Sequence, residues 1–309
     1  MKFAFFFPGQ GSQSVGMMQG LADIAIVRET FAEASDVLGQ DFWAMATEPN
    51  EALNQTANTQ PLMLTAGVAT WRAWQQVADL KPQLMAGHSL GEYTALVAAG
   101  ALSFKDALPL VRYRAQVMQN AVTEGVGAMA AILGLDDDTV RQVCTEAAQG
   151  EVVEAVNLNS PGQVVIAGNK AAVERGMELA KEKGAKRALP LPVSVPSHCA
   201  LMKPAALELA KYLESVTITA GQMPVVHNAD VAAYDDAAKI KDALVRQLYS
   251  PVRWVETVQN AHQQGIAASA ECGPGKVLAG LTKRIVADLP CVAMVSQEAF
   301  EEAKTLFLA

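Results

Sequence analysis

The residues with the clearest chemical potential are Gly87-His88-Ser89-Leu90-Gly91, in which a serine stands two residues from a glycine on either side. An apolar run, 84–86, precedes this segment, and an alanine-rich stretch, 93–99, follows it. The pattern predicts a strand, a sharp turn and a helix. In that setting a serine is exposed beside the N–H groups of a helix N-terminus, where a developing oxyanion can bind. Ser89 is therefore a candidate nucleophile, and a glycine-rich turn with an incidental serine is the alternative.

A serine hydroxyl needs a base within hydrogen-bonding distance to act as a nucleophile at neutral pH, and the chain has four histidines. His88 adjoins the serine and should point away from it, and His262 lies in a polar helical segment. His198 follows the proline-bracketed segment 192–197, and His227 ends a short apolar run. Because rigid loops commonly carry catalytic groups, these two histidines remain equally good candidates.

The N-terminal strand, 3–7, leads into the loop Pro8-Gly9-Gln10-Gly11-Ser12-Gln13. Strand followed by Gly-x-Gly is typical of dinucleotide sites, but Ser14 stands where that fingerprint has its third glycine, and no acidic partner follows in the right context. The alternative is that this loop presents a backbone N–H to a reaction centre.

Composition narrows the class of protein. The 309 residues carry a net charge of −8, which argues against a nucleic-acid-binding protein because no positive field is available to displace counterions. The four cysteines are far apart without a C-x-x-C pair, so neither a disulfide framework nor a zinc site is indicated. The first apolar run ends at Pro8, too early for a signal peptide, and no other stretch approaches the length of a membrane span. We expect a cytoplasmic enzyme.

The order of elements predicts an α/β fold with two parts. Strands alternate with helices in 1–124 and 198–309, which predicts a large core with a mostly parallel sheet. Segment 125–197 has the order β-α-β-β-α-β, with a last strand at 188–195, and predicts an inserted ferredoxin-like subdomain. In the core, Thr59 is predicted to cap a helix that has Pro61 in its first turn. Strand order does not follow from the pattern.

Several further motifs occur in sequence order around the serine turn, and together they are more specific than the turn alone. They are Pro8-Gly9-Gln10-Gly11-Ser12-Gln13, Gln60-Pro61, Gly87 to Glu92, Asn159-Ser160-Pro161-Gly162, Ser197-His198, Arg246-Gln247-Leu248 and Gly273-Pro274-Gly275-Lys276. With these motifs the chain resembles the malonyl-CoA:acyl carrier protein transacylases of type II fatty acid synthesis over essentially its whole length. The resemblance also implies a hydrolase-like α/β core with a ferredoxin-like insert.

The resemblance implies a role for each matching residue. Ser89 would attack the thioester and become a malonyl ester, and His198 would move the protons. The backbone N–H groups of Gln10 and Leu90 would form the oxyanion hole. Gln247 would orient the histidine through its main-chain carbonyl, where hydrolases usually have an acid. Malonyl-CoA and acyl carrier protein are then the partners of a monomer that needs no cofactor and no metal.

The resemblance also implies the residues of the substrate site. Arg114 would clamp the free malonyl carboxylate, and Gln60, Ser197 and Asn159 are expected to contact the substrate. Ser197 leaves methylmalonyl open as a second substrate, because related polyketide acyltransferases have Phe before the catalytic histidine for malonyl and Ser for methylmalonyl.

Two questions stay open on the sequence alone. A serine hydrolase or thioesterase would use the same serine and histidine with water, and a non-catalytic docking domain for a carrier protein would use neither. An acidic carrier needs a local basic patch on this acidic chain, and Lys186, Arg187, Lys283 and Arg284 are the candidates, with ordinary solvated surface as the alternative.

Overall fold

The computed structural model describes residues 1–193 and 195–309. Its strands are β1 (Phe3–Phe7), β2 (Leu84–Gly87), β3 (Gly127–Leu133), β4 (Val153–Ser160), β5 (Gln163–Asn169), β6 (Arg187–Pro190), β7 (Val225–His227), β8 (Ala232–Ala233), β9 (Ala268–Glu271) and β10 (Cys291–Ala293). Its α-helices are α1 (Ala25–Leu38), α2 (Phe42–Thr47), α3 (Thr56–Val77), α4 (Gly91–Ala98), α5 (Phe104–Asn120), α6 (Asp137–Ala148), α7 (Lys170–Glu182), α8 (Lys203–Glu214), α9 (Ala237–Gln247), α10 (Trp254–Gln263), α11 (Val277–Ile285) and α12 (Gln297–Leu308).

The larger sheet has the order β10-β9-β1-β2-β7-β8. Its pairs are parallel except for β8, which runs antiparallel to β7. Every residue of β1 is buried, because a central parallel strand is covered by helices on both faces and therefore has an uninterrupted apolar sequence. The carboxyl ends of β1 and β2 meet at one edge of this sheet, and each strand leads there into a glycine-containing motif.

The smaller sheet has the order β4-β5-β3-β6 and is antiparallel. Helices α6 and α7 contact it and each other. Buried and half-buried residues alternate along most of β4, whereas β5 has five consecutive buried residues. One face of the sheet packs on α6 and α7, and the other face packs in part against Cys199. The predicted fold class, a mostly parallel α/β core with a β-α-β-β-α-β unit, is confirmed.

The two sheets are joined by hydrogen bonds as well as by the chain. Val252 of the core forms a parallel bridge with Asn157 of β4. Its N–H donates to Val156 O (2.8 Å), and its carbonyl accepts from Leu158 N (3.0 Å). This short ladder attaches β4 to Val252, which is five residues after Gln247 in the sequence.

Some predicted element boundaries are wrong. Helix α3 begins at Thr56, and Thr59 is an interior residue whose Oγ1 donates to Leu53 O (2.6 Å) and Gln55 O (3.1 Å) instead of capping the helix. Pro61 is accordingly inside the helix. The last strand of the insert is shorter than the predicted 188–195, and Ser194 of that segment lies outside the described residues.

The C-terminal helix α12 was not predicted. It packs on one face of the larger sheet, where Phe307 stacks on Phe3 of β1 with ring centroids 4.0 Å apart. Among the described residues, none of the helices is both long enough and apolar enough to cross a membrane.

Candidate active site

Ser89 lies at the apex of the turn between β2 and α4 with φ of 53°. A non-glycine residue in this left-handed region carries strain of about 1–3 kcal/mol, which is typical of functional turns. The flanking glycines are required by packing. A Cβ at Gly87 would stand 1.9 Å from the carbonyl group of Gly91, and a Cβ at Gly91 would stand 2.0 Å from Phe7 O. The glycine spacing thus lets the turn fold tightly against β1.

The side-chain amides of Asn228 and Gln247 form hydrogen bonds with the backbone of this turn. Asn228 Oδ1 accepts the N–H of Ser89 (2.8 Å), and Asn228 Nδ2 donates to Gly87 O (2.6 Å). Gln247 Nε2 donates to Ser89 O (2.9 Å). The backbone on both sides of the nucleophile is therefore fixed by side chains from β7 and α9, which lie far away in sequence.

His198, and not His227, lies against the serine. Its Nε2 is 2.7 Å from Ser89 Oγ, and its Nδ1 is 2.7 Å from the main-chain oxygen of Gln247. Because a carbonyl oxygen only accepts hydrogen bonds, Nδ1 carries the proton and Nε2 is left as the acceptor for the serine hydroxyl. The backbone N–H of His198 also donates to Leu248 O (3.0 Å). The α9 C-terminus thus sets both the tautomer and the orientation of the ring.

Burial and charge keep this imidazole neutral. His198 is 2% exposed. Burial, followed by the positive charge of Arg114, lowers the pKa of His198 to about 3. The ring is consequently unprotonated and able to accept a proton throughout the neutral pH range.

Arg114 of α5 is buried beside the serine with no carboxylate partner. It donates from Nη1 to Gln60 Oε1 (2.8 Å) and from Nη2 to Gln247 Oε1 (2.9 Å), and its Nη2 is 3.3 Å from Ser89 Oγ. Within 1–193 and 195–309, no Asp or Glu forms an ion pair with it, and its Nε has no hydrogen-bond partner. A guanidinium has five N–H donors, so this buried cation retains capacity for an anionic ligand.

The loop after β1 lies directly on the serine turn. A Cβ at Gly9 would stand 2.4 Å from His88 O and 3.7 Å from Leu90 N. This close approach brings the backbone of Gln10 beside that of Leu90. Within the described chain, neither of these two N–H groups donates a hydrogen bond to another residue, so both are free for an oxyanion. The side chain of Gln10 points elsewhere and donates to Thr56 Oγ1 (3.3 Å).

A fully buried carboxylate beneath the site was not expected from the sequence. Glu92 of α4 accepts from His227 Nδ1 (2.6 Å), Asn228 N (2.9 Å) and Gln247 Nε2 (3.1 Å). His227, the other candidate for the base, therefore binds Glu92 rather than Ser89, and its ring stacks on Tyr234. The sequence signal was available: Glu92 is an acidic residue inside an otherwise apolar helix.

The other predicted substrate contacts surround the serine turn. Asn159 Oδ1 is 2.8 Å from His88 Nε2, which joins the insert to the turn. Ser197 is half-buried next to the histidine, and its Oγ is 3.5 Å from Val195 O. Gln60 is buried and contacts Arg114 rather than open space. Among the described residues, no cluster of His, Cys, Asp or Glu could hold a metal ion.

The two candidate basic pairs lie at one end of the smaller sheet. Arg284 Nη1 donates to Gln163 Oε1 (2.8 Å), and both Gln163 and Arg187 are register partners of Leu133. Since neighbouring strands are about 4.8 Å apart, roughly 10 Å separates the backbones of β5 and β6 there. Lys186, Arg187, Lys283 and Arg284 are exposed and are called the basic surface below.

A strained serine, a neutral histidine and two free N–H groups form an arrangement that can carry an acyl group as a serine ester. The comparisons with known proteins agree with this class. A model of the acyl transferase domain family matches residues 4–298. The chain is 58% identical over 306 residues to the malonyl CoA-acyl carrier protein transacylase of Salmonella typhimurium, covering 98% of this chain and 99% of that protein.

Solved structures give the same result. An acyl-carrier-protein S-malonyltransferase from Burkholderia pseudomallei matches with a TM-score of 0.97 and 62% identity over 99% of this chain and 100% of that one. A malonyl-transacylase solved in complex with its type II PKS acyl-carrier protein matches with a TM-score of 0.96 and 55% identity over 98% of this chain and 99% of that one. The chain belongs to the acyl transferase family and, within it, to the malonyl CoA-acyl carrier protein transacylases.

Proposed function

We propose that this protein transfers the malonyl group of malonyl-CoA to the phosphopantetheine thiol of acyl carrier protein through a malonyl ester of Ser89. The observation that carries the proposal is the convergence of two groups on one oxygen. Ser89 Oγ is 2.7 Å from the imidazole of His198 and 3.3 Å from the guanidinium of Arg114. A nucleophile and a carboxylate-binding cation side by side suit an acyl group with a carboxylate close to its thioester carbon.

In the first half-reaction, Ser89 Oγ attacks the thioester carbon while its proton passes to His198 Nε2. The carbonyl oxygen becomes an oxyanion and accepts from the N–H groups of Gln10 and Leu90, each of which is worth about 10²–10³ in rate. The C–S bond then breaks, and His198 returns the proton to the sulfur of CoA. The Gln247 carbonyl supports the transient imidazolium through Nδ1–H.

The second half-reaction uses the same groups in reverse order. The carrier thiol gives its proton to His198, and its sulfur attacks the ester carbon of malonyl-Ser89. The oxyanion forms again at the same two N–H groups. Breakage of the C–O bond releases malonyl-carrier and restores the serine hydroxyl with the proton from His198.

The guanidinium of Arg114 provides selectivity for the donor. In the free protein its N–H groups contact neutral amide oxygens of Gln60 and Gln247. A malonyl carboxylate would supply the negative charge that these contacts lack, in a pocket where an unpaired charge is costly. The methylene between the two carbonyl groups of malonate is short enough to keep the thioester at Ser89. Uncharged fatty-acyl esters gain nothing from this cation.

Localisation, oligomeric state, cofactor requirement and a second substrate are part of the same proposal. We propose that the protein acts as a cytoplasmic monomer, and that its chemistry requires no metal or cofactor because its side chains supply the nucleophile and base and its backbone N–H groups bind the oxyanion. Ser197 beside the histidine is half-buried, and its small side chain leaves room for a branched acyl group. Methylmalonyl transfer is accordingly the second candidate activity.

Intact mass spectrometry after incubation with acyl-CoA donors tests the proposal. Malonyl-CoA is expected to add one malonyl group to the wild-type protein and none to Ser89→Ala, because that variant lacks the hydroxyl that lies against His198. Acetyl-CoA should add little. Arg114→Ala is expected to lower the malonyl rate by about 100-fold and remove the preference for malonyl over acetyl, since the charge pair is lost.

Each result separates the competing functions. An adduct that transfers to carrier protein supports the transferase, whereas rapid loss of the adduct to water alone would indicate a hydrolase. A wild-type protein that binds carrier without forming any adduct would be a docking domain. Unchanged donor selectivity in Arg114→Ala would disprove the clamp. Arg112→Ala is the matched control, because Arg112 is on the same helix but contacts Leu38 O and Gln40 near the surface.

A further inference from the structure

The Gly273-Pro274-Gly275-Lys276 segment joins β9 to α11 and has no part in the two half-reactions. Cys272 separates it from Glu271, the last residue of β9, whose side chain is fully buried. Glu271 Oε2 accepts the N–H of Ala279 in the first turn of α11 (2.8 Å). Lys276, at the N-cap position, makes no side-chain cap. The carboxylate of Glu271 therefore caps α11 from the preceding strand.

This cap fixes a segment that packs against the loop after β1. Gly273 has φ of 148°, and a Cβ there would stand 2.8 Å from the Pro8 ring. Gly275 has φ of 82°, and a Cβ there would stand 3.4 Å from Ser12 O. Both glycines are needed because the segment lies flat on the loop. The 273–275 segment contacts Pro8 and Ser12, which lie on either side of Gln10 in the sequence.

The loop in turn rests on the nucleophile turn. A Cβ at Gly9 would stand 2.4 Å from His88 O, so the two backbones are in direct contact with no room for a side chain between them. The loop is thus held between the serine turn on one side and the 273–275 segment on the other. Displacement of either support would move the Gln10 N–H.

We propose that Glu271 is a positioning residue for acyl transfer: by capping α11 it holds the 273–275 segment against Pro8 and Ser12, and so keeps the Gln10 N–H where the oxyanion forms. The inference rests on the proposed function, because it needs an oxyanion at that place. It accounts for the Gly-Pro-Gly-Lys motif, which the catalytic groups alone leave unexplained.

Steady-state kinetics with malonyl-CoA and carrier protein test the inference. Glu271→Ala is expected to lower kcat by about 10-fold, with the KM for malonyl-CoA changed less than twofold, because an oxyanion contact acts in the transition state. Glu271→Gln keeps an amide oxygen that can accept from Ala279, so its kcat should stay within about threefold of wild type. Gly273→Ala, which leaves the cap intact and pushes on Pro8, should reproduce the loss in kcat.

Asp136→Ala is the matched control. Asp136 caps α6 through the N–H of Thr139 (2.8 Å) in the insert, so this variant should lose thermal stability without losing kcat. Equal losses of kcat in Asp136→Ala and Glu271→Ala would overturn the inference, as would unchanged kcat in Gly273→Ala. Should Glu271→Ala fail to fold, Gly273→Ala decides. Absence of a malonyl adduct on the wild type would instead reject the proposed function, so the two failures are distinguishable.

Discussion

The two ring nitrogens of His198 have different roles: Nδ1 donates to the carbonyl oxygen of Gln247, and Nε2 accepts from the hydroxyl of Ser89. This arrangement orients the ring without an acidic residue. The nearby charge is the cation of Arg114, which helps to lower the pKa of the ring. A malonyl carboxylate on Arg114 would neutralise that cation and raise the proton affinity of His198. We propose that the substrate would in this way strengthen His198 as a base.

The pH dependence of acylation follows from this environment. Because the pKa of His198 is about 3, the neutral base predominates at every pH above that value, and protonation abolishes it only below. We expect kcat/KM for malonyl-CoA to show no acid limb from this residue between about pH 5 and pH 8. Rates at constant ionic strength, with folding checked by circular dichroism at each pH, provide the measurement. An acid limb near pH 6.5 would contradict the buried neutral ring.

The strand–turn–helix element that carries the serine is not held by its own residues alone. Ser89 is in a strained conformation, and the side chain of Asn228 binds both its N–H and the carbonyl oxygen of Gly87. The carboxylate of Glu92 fixes Asn228 through the N–H of that residue. Strain at the nucleophile is thus maintained by a polar cluster from three separate elements, which is the usual condition for such strain to persist.

Removal of Asn228 tests this dependence. Asn228→Ala leaves the N–H of Ser89 and the carbonyl of Gly87 without their partners in a buried site, so we expect a loss of about 2 kcal/mol in the free energy of unfolding. Relaxation of the turn should also lower kcat by about 10-fold. Denaturant unfolding and steady-state kinetics give the two quantities.

Asn169→Ala provides the comparison for that variant. Asn169 Oδ1 accepts the N–H of Val152 (2.8 Å) in the insert, so its removal should destabilise the fold and leave kcat within twofold. If Asn228→Ala behaved in the same way, the turn would not depend on that amide.

At the scale of the whole molecule, the insert connects the active site to the basic surface. Asn159 contacts His88 beside the nucleophile, and Gln163, four residues later across the β4–β5 turn, contacts Arg284 of the core. We propose that residues 125–197 form a subdomain that an acidic carrier protein contacts together with α11. Helix α11 packs against β4, and Asn159 of β4 contacts the serine turn, so a carrier bound there could extend its phosphopantetheine to Ser89.

Charge reversal on α11 tests carrier docking. Lys283→Glu together with Arg284→Glu is expected to raise the KM for carrier protein about 10-fold and leave the KM for malonyl-CoA within twofold, because surface charges chiefly affect encounter with a charged partner. Lys2→Glu with Lys81→Glu is the matched control, since these exposed lysines precede β1 and β2 and so lie at the strand ends away from Ser89. Equal effects of the two double variants would argue against docking at the basic surface.

The accuracy of the sequence-based predictions varied with the range of the interactions involved. All strands except the two-residue β8 were predicted, as were the glycine-flanked serine and the β-α-β-β-α-β order, because local patterns encode them. Thr59 was assigned wrongly because its hydroxyl donates to carbonyl oxygens before the helix, whereas an N-cap side chain accepts an N–H of the first turn. Helix α12 was missed, although Ser296 caps it. The buried cluster around Glu92 was missed because its members come from three distant segments.

The amino-acid sequence by itself determined the fold class, the serine turn and, through its motifs, the family, because these follow from local periodicity and from residues at fixed spacing. Residue patterns left His198 and His227 equal and the motif match favoured His198, but only the tertiary structure shows that the end of α9 orients His198 toward Ser89. The same is true of Arg114. Its lack of a carboxylate partner results from the packing of α3, α5 and α9, which no local pattern specifies.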